Sequence, residues 1–265
     1  MKMEALPKGL AASGAIEISN TLKRISGGKV LDVATGNGEF IDTLMHTLKD
    51  FDCFVGVDNS KKEVEAAKRR FEGPLVEIME MNGEALKFED GSFDTACISH
   101  SLHHLCHIGR VLTEMKRVLK PGGHFIIQES FSDGNQTEAQ RTEILQHHWD
   151  AEIDTLHGTT HNRTLTKQKI NDVVNDLKLR RVEVLESTRP VKCLFCEDQF
   201  DCENPKTEKF VAQSIKEIDD ALKRLGNPRS FNSQLRLKQQ GKKLRERAMR
   251  FGVSPASLLF IVGSK

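Results

Sequence analysis

A glycine loop flanked by two acidic residues is the part of this sequence best suited to chemistry. Residues 30–40 read VLDVATGNGEF, in which an apolar run reaches Asp32 and is followed by Gly36 and Gly38. Twenty residues past the second glycine comes the run VGVDNS, with Asp58. Glycines let a backbone turn sharply and approach a ligand, and an acid after the next strand accepts hydrogen bonds from a ribose diol. The spacing indicates a ligand-binding strand-to-helix corner, with an ordinary structural corner as the alternative.

The loop differs from a dinucleotide fingerprint in two respects. The third glycine of that pattern would fall at position 41, where the sequence has Ile41. Asp32 stands four residues before the first glycine, where it would repel a pyrophosphate but attract a cation. A ligand with a ribose, a positive group and no phosphate meets both conditions, and S-adenosylmethionine is such a ligand. A nicotinamide oxidoreductase is correspondingly disfavoured.

Short apolar runs alternate with helical patterns along the first half of the chain. Strands are predicted at 29–34, 53–57, 75–79, 93–99 and 124–130, followed later by 182–187 and 257–265. Helices are predicted at 5–26, 39–49, 60–71, 105–119, 137–154 and 166–177, and two amphipathic helices at about 211–225 and 234–250 form a hairpin. This order predicts an α/β fold with a Rossmann-like, seven-stranded, mostly parallel sheet, an antiparallel last strand, helices on both faces and a helical insertion before that strand.

Polar residues follow five of the predicted strands. They are Asp32, Asp58 with Asn59, Asn82 with Gly83 and Glu84, Ser99 with His100, and Glu129. The carboxyl ends of parallel strands share one edge of a sheet, which is where open α/β sheets bind ligands. We therefore expect these residues to surround one site.

Five motifs in this order resemble the class I S-adenosylmethionine-dependent methyltransferases, and most of all their ubiquinone/menaquinone-biosynthesis branch. The motifs are VLDVATGNG (30–38), VGVDNS (55–60), NGEALKFEDGSFD (82–94), SLHHL (101–105) and RVLKPGG (117–123). The resemblance implies S-adenosylmethionine as cofactor, with Asp32 and the glycine loop at its methionine part and Asp58 at its ribose. It gives the cofactor-binding set Asp32, Ala34, Gly36, Gly38, Asp58, Asn59, Asn82, Gly83, Glu84, Ser99 and His104. At Asn82 the family usually has an Asp, so one adenine contact differs.

The resemblance implies transfer of a methyl group by in-line displacement to a small-molecule acceptor, whose reacting O, N or C atom stays open. Orientation can supply much of the rate, and a general base would help with a hydroxyl or amine acceptor. The candidates for that base are Glu129, His100 and His148, with His103, His104 and His147 also near the site. Capping, packing or surface exposure is the alternative for each histidine. The alternative functions are a non-catalytic cofactor-binding regulator or RNA-associated factor, and a thiol-assisted metalloid methyltransferase.

The cysteine and histidine spacings match a zinc site only in part. The His157–His161 pair and the series Cys193, Cys196, Cys202 lack the full four-ligand pattern, so we predict no metal site and reduced thiols.

The helix at 234–250 carries seven basic residues against one acid, which indicates either a nucleic-acid surface or a solvated face. We favour the solvated face, because the net charge is only +1 and no aromatic residues alternate with the basic ones.

The chain is expected to form one domain over 1–265. Residues 1–130 are its cofactor-binding half, 131–165 a substrate cover, and 190–256 a helical insertion that acts as a lid or as a homodimer interface. The sequence has no apolar run of membrane-spanning length and no signal-peptide core at its start, so a cytoplasmic protein is expected.

Overall fold

A seven-stranded sheet forms the centre of the molecule. The computed structural model describes residues 12–195, 204–225 and 231–265. The strands are β1 (Lys29–Val33), β2 (Cys53–Asp58), β3 (Val76–Glu80), β4 (Phe93–Ser99), β5 (Leu119–Ser130), β6 (Arg180–Ser187) and β7 (Leu258–Ser264). Their order is β3-β2-β1-β4-β5-β7-β6, and only β7 runs antiparallel to its neighbours. The predicted Rossmann-like fold class is confirmed.

Eight α-helices accompany the sheet in the described part of the chain. They are α1 (Ala15–Leu22), α2 (Glu39–Thr47), α3 (Lys61–Arg70), α4 (Ile108–Val118), α5 (Glu138–Leu156), α6 (Lys167–Asp176), α7 (Glu208–Leu225) and α8 (Phe231–Phe251). Two large apolar clusters contain the inward-facing residues of the sheet and of the helices packed on it. The alternation of apolar runs and helical stripes thus predicted the layers of the core correctly.

Two helices differ in their bounds from the sequence pattern among the described residues. Of the helix predicted at 5–26, residues 5–11 lie outside the described ranges, and α1 begins after Gly14, whose φ of 88° is left-handed. The helix predicted at 105–119 begins at Ile108, because a short 3₁₀ helix (Leu102–His104) comes first. This 3₁₀ turn directly follows β4 and places two histidines beside the edge of the sheet.

Helix α5 joins the helical insertion to the rest of the molecule. A capping box fixes its start, with the Thr137 hydroxyl accepting from the Gln140 amide and the Gln140 side chain accepting from the Thr137 amide. The predicted hairpin of α7 and α8 packs its apolar stripe on α5 around Trp149, whose indole N–H donates to the Leu237 carbonyl at 2.9 Å. One face of α5 therefore packs against the insertion, while other residues of the same helix reach the site.

No helix in the described ranges is both long enough and apolar enough to cross a membrane.

Candidate active site

A cavity of about 1410 Å³ opens at the carboxyl ends of β1, β2, β4 and β5. Ten of the eleven predicted cofactor-binding residues line it: Asp32, Ala34, Gly36, Asp58, Asn59, Asn82, Gly83, Glu84, Ser99 and His104. The remaining one, Gly38, lies behind the loop, where an added Cβ would stand 2.4 Å from the Phe71 ring. Of the residues predicted to surround one site at this edge of the sheet, all except Glu129 line the cavity, and Gly38 shapes the loop from behind.

Asp32 is a buried carboxylate with few partners. Its Oδ2 accepts from the Thr35 hydroxyl at 2.6 Å, and its Oδ1 accepts from the Cys97 thiol at 3.4 Å. Burial raises the pKa of Asp32 to about 7, against the lowering effect of these two hydrogen bonds. A cationic ligand in the cavity would stabilise the ionised form, because an opposite charge offsets the loss of hydration.

Asp58 holds the glycine loop in place. Its Oδ2 accepts from the Gly36 amide at 2.9 Å, and its Oδ1 accepts from the Ser60 amide at 2.8 Å. Each carboxylate oxygen has a further lone pair, so ribose hydroxyls can still donate to it. Gly36 has a φ of 54°, and a Cβ built there would meet no atom within 4 Å, since it would project into open space. The loop thus presents bare backbone to the cavity.

Two residues other than glycine adopt left-handed backbone beside this loop. Ala34 has a φ of 55° and His100 a φ of 46°, and both line the cavity. Side chains at such φ values carry steric strain, and strained residues of this kind cluster at functional sites. The surrounding structure therefore holds the backbone of Ala34 and His100 in a conformation that these residues disfavour, and both residues lie at the cavity.

The segment after β3 differs from the sequence expectation in one detail. The Asn82 side-chain carbonyl, expected to face the adenine amino group, accepts from the Glu84 amide at 2.9 Å. Glu84 in turn accepts from His107 at 2.9 Å. One lone pair of the Asn82 carbonyl is therefore used within the turn, and one is left for a ligand.

A buried acceptor in the wall of the cavity lacks a partner. Gln128 donates through Nε2 to the Ser99 hydroxyl at 3.0 Å, while its Oε1 has no hydrogen-bond partner among the described residues. An unpaired buried carbonyl of this kind is costly to the stability of the protein.

Glu129, predicted to touch substrate, faces away from the cavity. It is completely buried and accepts from the Leu102 amide at 2.7 Å and from the His103 Nδ1–H at 3.0 Å. The end of β5 points into the protein at this position because the 3₁₀ helix covers it. Glu129 is thus a positioning residue for the turn that carries His103.

Substitution Glu129→Ala is expected to destabilise the fold by about 2–4 kcal/mol, because it leaves a buried amide and a buried imidazole without their acceptor. Urea denaturation would measure this loss. The matched control is Glu65→Ala, at an exposed site on α3, for which a change below about 0.5 kcal/mol is expected. Equal stability of the Glu129 variant and the wild type would show that these hydrogen bonds contribute nothing.

The other two predicted bases differ in their access to the cavity. His100 lines it, and its Nδ1 lies 3.1 Å from the Ser130 hydroxyl; burial lowers its pKa. His148 is half-buried and does not line the cavity, and burial lowers its pKa to about 4. His148 is therefore poorly placed to meet a ligand there.

Helix α5 contributes a carboxylate that the sequence reasoning missed. Glu143 lines the cavity, and burial raises its pKa to about 7, against hydrogen bonding from the Ala256 amide. A carboxyl whose pKa is raised by burial in a cleft suits a general base. The signal available in the sequence was the spacing of Glu143, His147 and Asp154, which puts three polar groups on one face of a helix.

The zinc pattern considered from the sequence does not assemble in the described part of the chain. His157 is exposed at the end of α5, and Cys193 is buried against Ala15. Cys196 and Cys202 lie outside the described residues.

Part of the positive charge of α8 is neutralised by the neighbouring helices. The ion pairs are Arg236 with Glu152, Arg245 with Asp219, and Arg247 with Glu138. These pairs support the interpretation of α8 as a packed helix with a solvated face.

Comparison with known proteins agrees with this geometry. Residues 31–127 match the sequence model of a family described as a methyltransferase domain. A ubiquinone/menaquinone biosynthesis C-methyltransferase of Bartonella bacilliformis is 34% identical over 109 residues, which are 40% of this chain and 42% of that protein. The match thus spans less than half the length of this curated relative.

Solved structures show the same fold over nearly the whole chain. A SAM-dependent methyltransferase of Archaeoglobus fulgidus has a TM-score of 0.50 at 16% identity, covering 95% of this chain and 94% of that one. Phosphoethanolamine N-methyltransferase 2 of Haemonchus contortus, solved with S-adenosyl-L-methionine, has a TM-score of 0.52 at 16% identity, covering 97% of this chain and 54% of that one. Likeness at this identity describes the fold.

Proposed function

We propose that the chain is a class I S-adenosylmethionine-dependent methyltransferase of the ubiquinone/menaquinone-like branch and that it transfers a methyl group to a small-molecule acceptor. The match of residues 31–127 to a methyltransferase-domain family and the similarity to a ubiquinone/menaquinone biosynthesis C-methyltransferase support this proposal. The main support for the proposal is the cavity, where the buried carboxylate of Asp32 near the end of β1, the glycine loop after β1 and the carboxylate of Asp58 at the end of β2 lie together. The acceptor atom, O, N or C, is left open.

Two features of the cavity fit this cofactor. The carboxylate of Asp32 is desolvated, and an ammonium or sulfonium would supply the missing positive charge. The open space at Gly36 admits a ligand close to the backbone. The proposed binding set is the ten residues that line the cavity, with Gly38 supporting the loop.

The cofactor, when bound, supplies an electrophilic methyl group on a sulfonium. The chain's own contribution is to orient the acceptor in line with that methyl, to exclude water and to accept a proton where the acceptor carries one. Glu143 is the proposed base, because it lines the cavity and its raised pKa is matched to neutral pH. His100 remains an alternative base at the end of β4.

The predicted division of the chain is retained in this proposal. Residues 1–130 would bind the cofactor, and 131–165 would cover the acceptor. Support for the cover comes from Glu143, Asp154, Thr160 and His161, which line the cavity from this segment. The insertion at 190–256 would stabilise the cover through the packing of α7 and α8 on α5.

The remaining expectations concern partners and location. The ion pairs of α8 support the expectation that the protein does not bind nucleic acid. A filter-binding assay at low salt would test this expectation. A homodimer through the helical insertion would be tested by light scattering of the purified protein. The cytoplasmic location stays a prediction that cell fractionation would test.

Turnover distinguishes the proposed enzyme from a non-catalytic binding protein. Methyl-labelled S-adenosylmethionine would be incubated with the protein and a small-molecule extract of its source cells. We expect label in an extractable product together with release of S-adenosylhomocysteine. Binding of the cofactor with no turnover in any extract fraction would instead support a regulator.

A further inference from the structure

Four histidines converge beside the cavity from three separate parts of the chain. His103 and His104 lie on the 3₁₀ helix after β4, His147 lies on α5, and His161 lies in the loop after α5. One ring nitrogen from each of them falls in a group whose members all lie within 4.8 Å of one another. The Nε2 atoms of His147 and His161 are 3.0 Å apart. Residues up to 58 positions apart in the sequence therefore aim at one point.

Three of the four rings are held by a second group through their other nitrogen. His103 Nδ1 lies 3.0 Å from Glu129 Oε1, and His161 Nδ1 lies 2.8 Å from Asp154 Oδ2. His147 Nδ1 lies 3.1 Å from the Thr164 hydroxyl in the same way. This arrangement leaves the Nε2 atoms of His147 and His161 facing each other. Histidines that bind metal ions almost always donate their other N–H to a carboxylate, carbonyl or water, which fixes tautomer and orientation.

We propose that His103, His104, His147 and His161 bind one divalent first-row transition-metal ion. Four imidazoles suit zinc and its neighbours, while magnesium and calcium prefer oxygen ligands. Neighbouring nitrogens of a tetrahedral zinc site lie about 3.3 Å apart, given Zn–N bonds of about 2.0–2.1 Å. The distance of 3.0 Å between the Nε2 atoms of His147 and His161, and the limit of 4.8 Å on the separations within the group, lie on either side of this value.

A hydrogen bond between two neutral imidazoles accounts for the 3.0 Å contact of His147 with His161. It does not account for the convergence of nitrogens from all four rings within 4.8 Å of one another.

The position of the cluster suggests where an ion would act. His104 and His161 line the cavity, and so does Asp154, which orients His161. An ion at this point would lie at the border of the space proposed for the acceptor. The proposal differs from the sequence expectation of no metal site, and it does not depend on the proposed methyl transfer, because binding of an ion is measured without cofactor or acceptor.

The test uses full-length protein without an affinity tag, after treatment with EDTA. Zn²⁺ is titrated by calorimetry, and Co²⁺ is added separately to record its visible d–d absorption. We expect one Zn²⁺ per chain and an intense Co²⁺ spectrum of the tetrahedral type. Absence of stoichiometric Zn²⁺ binding to the wild-type protein would overturn the proposal.

Variants identify the ligands. His161→Ala is expected to lose stoichiometric binding and the Co²⁺ spectrum, whereas His46→Ala, at an exposed histidine on α2, should keep both. Asp154→Asn retains all four imidazoles and should weaken Zn²⁺ binding about 10–100-fold through the orientation of His161. Circular dichroism shows whether each variant is folded. If His161→Ala does not fold, the test is the comparison of Zn²⁺ affinity between Asp154→Asn, where it should fall, and His46→Ala, where it should not change. Zn²⁺ binding that is equally tight in the wild type and in a folded cluster variant would overturn the assignment.

Discussion

Substitution Asp32→Asn is expected to abolish measurable binding of S-adenosylmethionine at pH 8 and, at the same time, to stabilise the ligand-free protein. Both effects follow from a carboxylate that is 1% exposed and has only the Thr35 hydroxyl and the Cys97 thiol as partners. The amide keeps the shape and can satisfy both neighbours, but it carries no charge to attract a cation. An active-site group of this kind costs stability in the empty protein.

The shifted pKa of Asp32 determines how the stability of the ligand-free protein changes with pH. The pKa of Asp32 is raised from 3.8 to about 7 in the folded protein, so the folded chain binds more protons than the unfolded chain between these values. Stability of the ligand-free protein therefore falls as the pH rises through this window. We expect the Asp32→Asn variant to gain about 2–4 kcal/mol at pH 8, with a smaller gain at pH 5.

Urea denaturation at the two pH values and calorimetry with the cofactor would measure both effects. The control is Asp42→Asn, a half-exposed carboxylate on α2, which should change neither quantity appreciably. A variant that binds S-adenosylmethionine as tightly as the wild type would contradict the role given to Asp32.

Substitution Glu143→Gln is expected to lower kcat by about 10²–10⁴-fold for an acceptor that must lose a proton. Glutamine preserves the size of the side chain and its acceptor for the Ala256 amide but cannot take up a proton. Because binding contacts are largely kept, KM should change much less than kcat. The matched control on the same helix is Glu152→Gln, whose side chain pairs with Arg236 rather than lining the cavity.

The pH profile separates Glu143 from the histidines. Its pKa of about 7 predicts a kcat that rises with pH up to about neutrality and then levels off, since only the carboxylate accepts a proton. A base such as His148, with a pKa of about 4, would give a flat profile above pH 6. Stopped assays from pH 5.5 to 8.5 on wild type and variant would show this, and an unchanged inflection in Glu143→Gln would exclude Glu143.

The sequence was most informative where function follows from local geometry. Asp58 and Ser99 end their strands and Asp32 is the last residue but one of β1, and the parallel order of the sheet suffices to bring them to one edge. The loop at Gly36 was also recognisable, because the sequence gives the glycines and their spacing directly. Prediction that these residues share one edge therefore needed strand order alone, whereas their assignment to a cofactor also used the family resemblance.

The residues around the acceptor could not be predicted from strand order. The orientation of Glu129 depends on the 3₁₀ turn that covers β5. The sequence pattern of a strand does not show whether a side chain near its end faces the cavity or the protein interior. The histidine cluster needs contacts between that turn, α5 and the loop at His161, which only the tertiary fold supplies. The polar stripe from Glu143 to Asp154 was present in the sequence, but its meaning depends on which face the insertion covers.

Calorimetric titration of S-adenosylmethionine into the wild-type protein and into Asp58→Ala tests the central claim most directly. Asp58 holds the glycine loop through Gly36 and is the proposed ribose acceptor, so its carboxylate affects binding twice. We predict one binding site per chain in the wild type and loss of measurable binding in a variant whose circular dichroism is unchanged. No binding to the wild type, or equal affinity in the variant, would contradict this account.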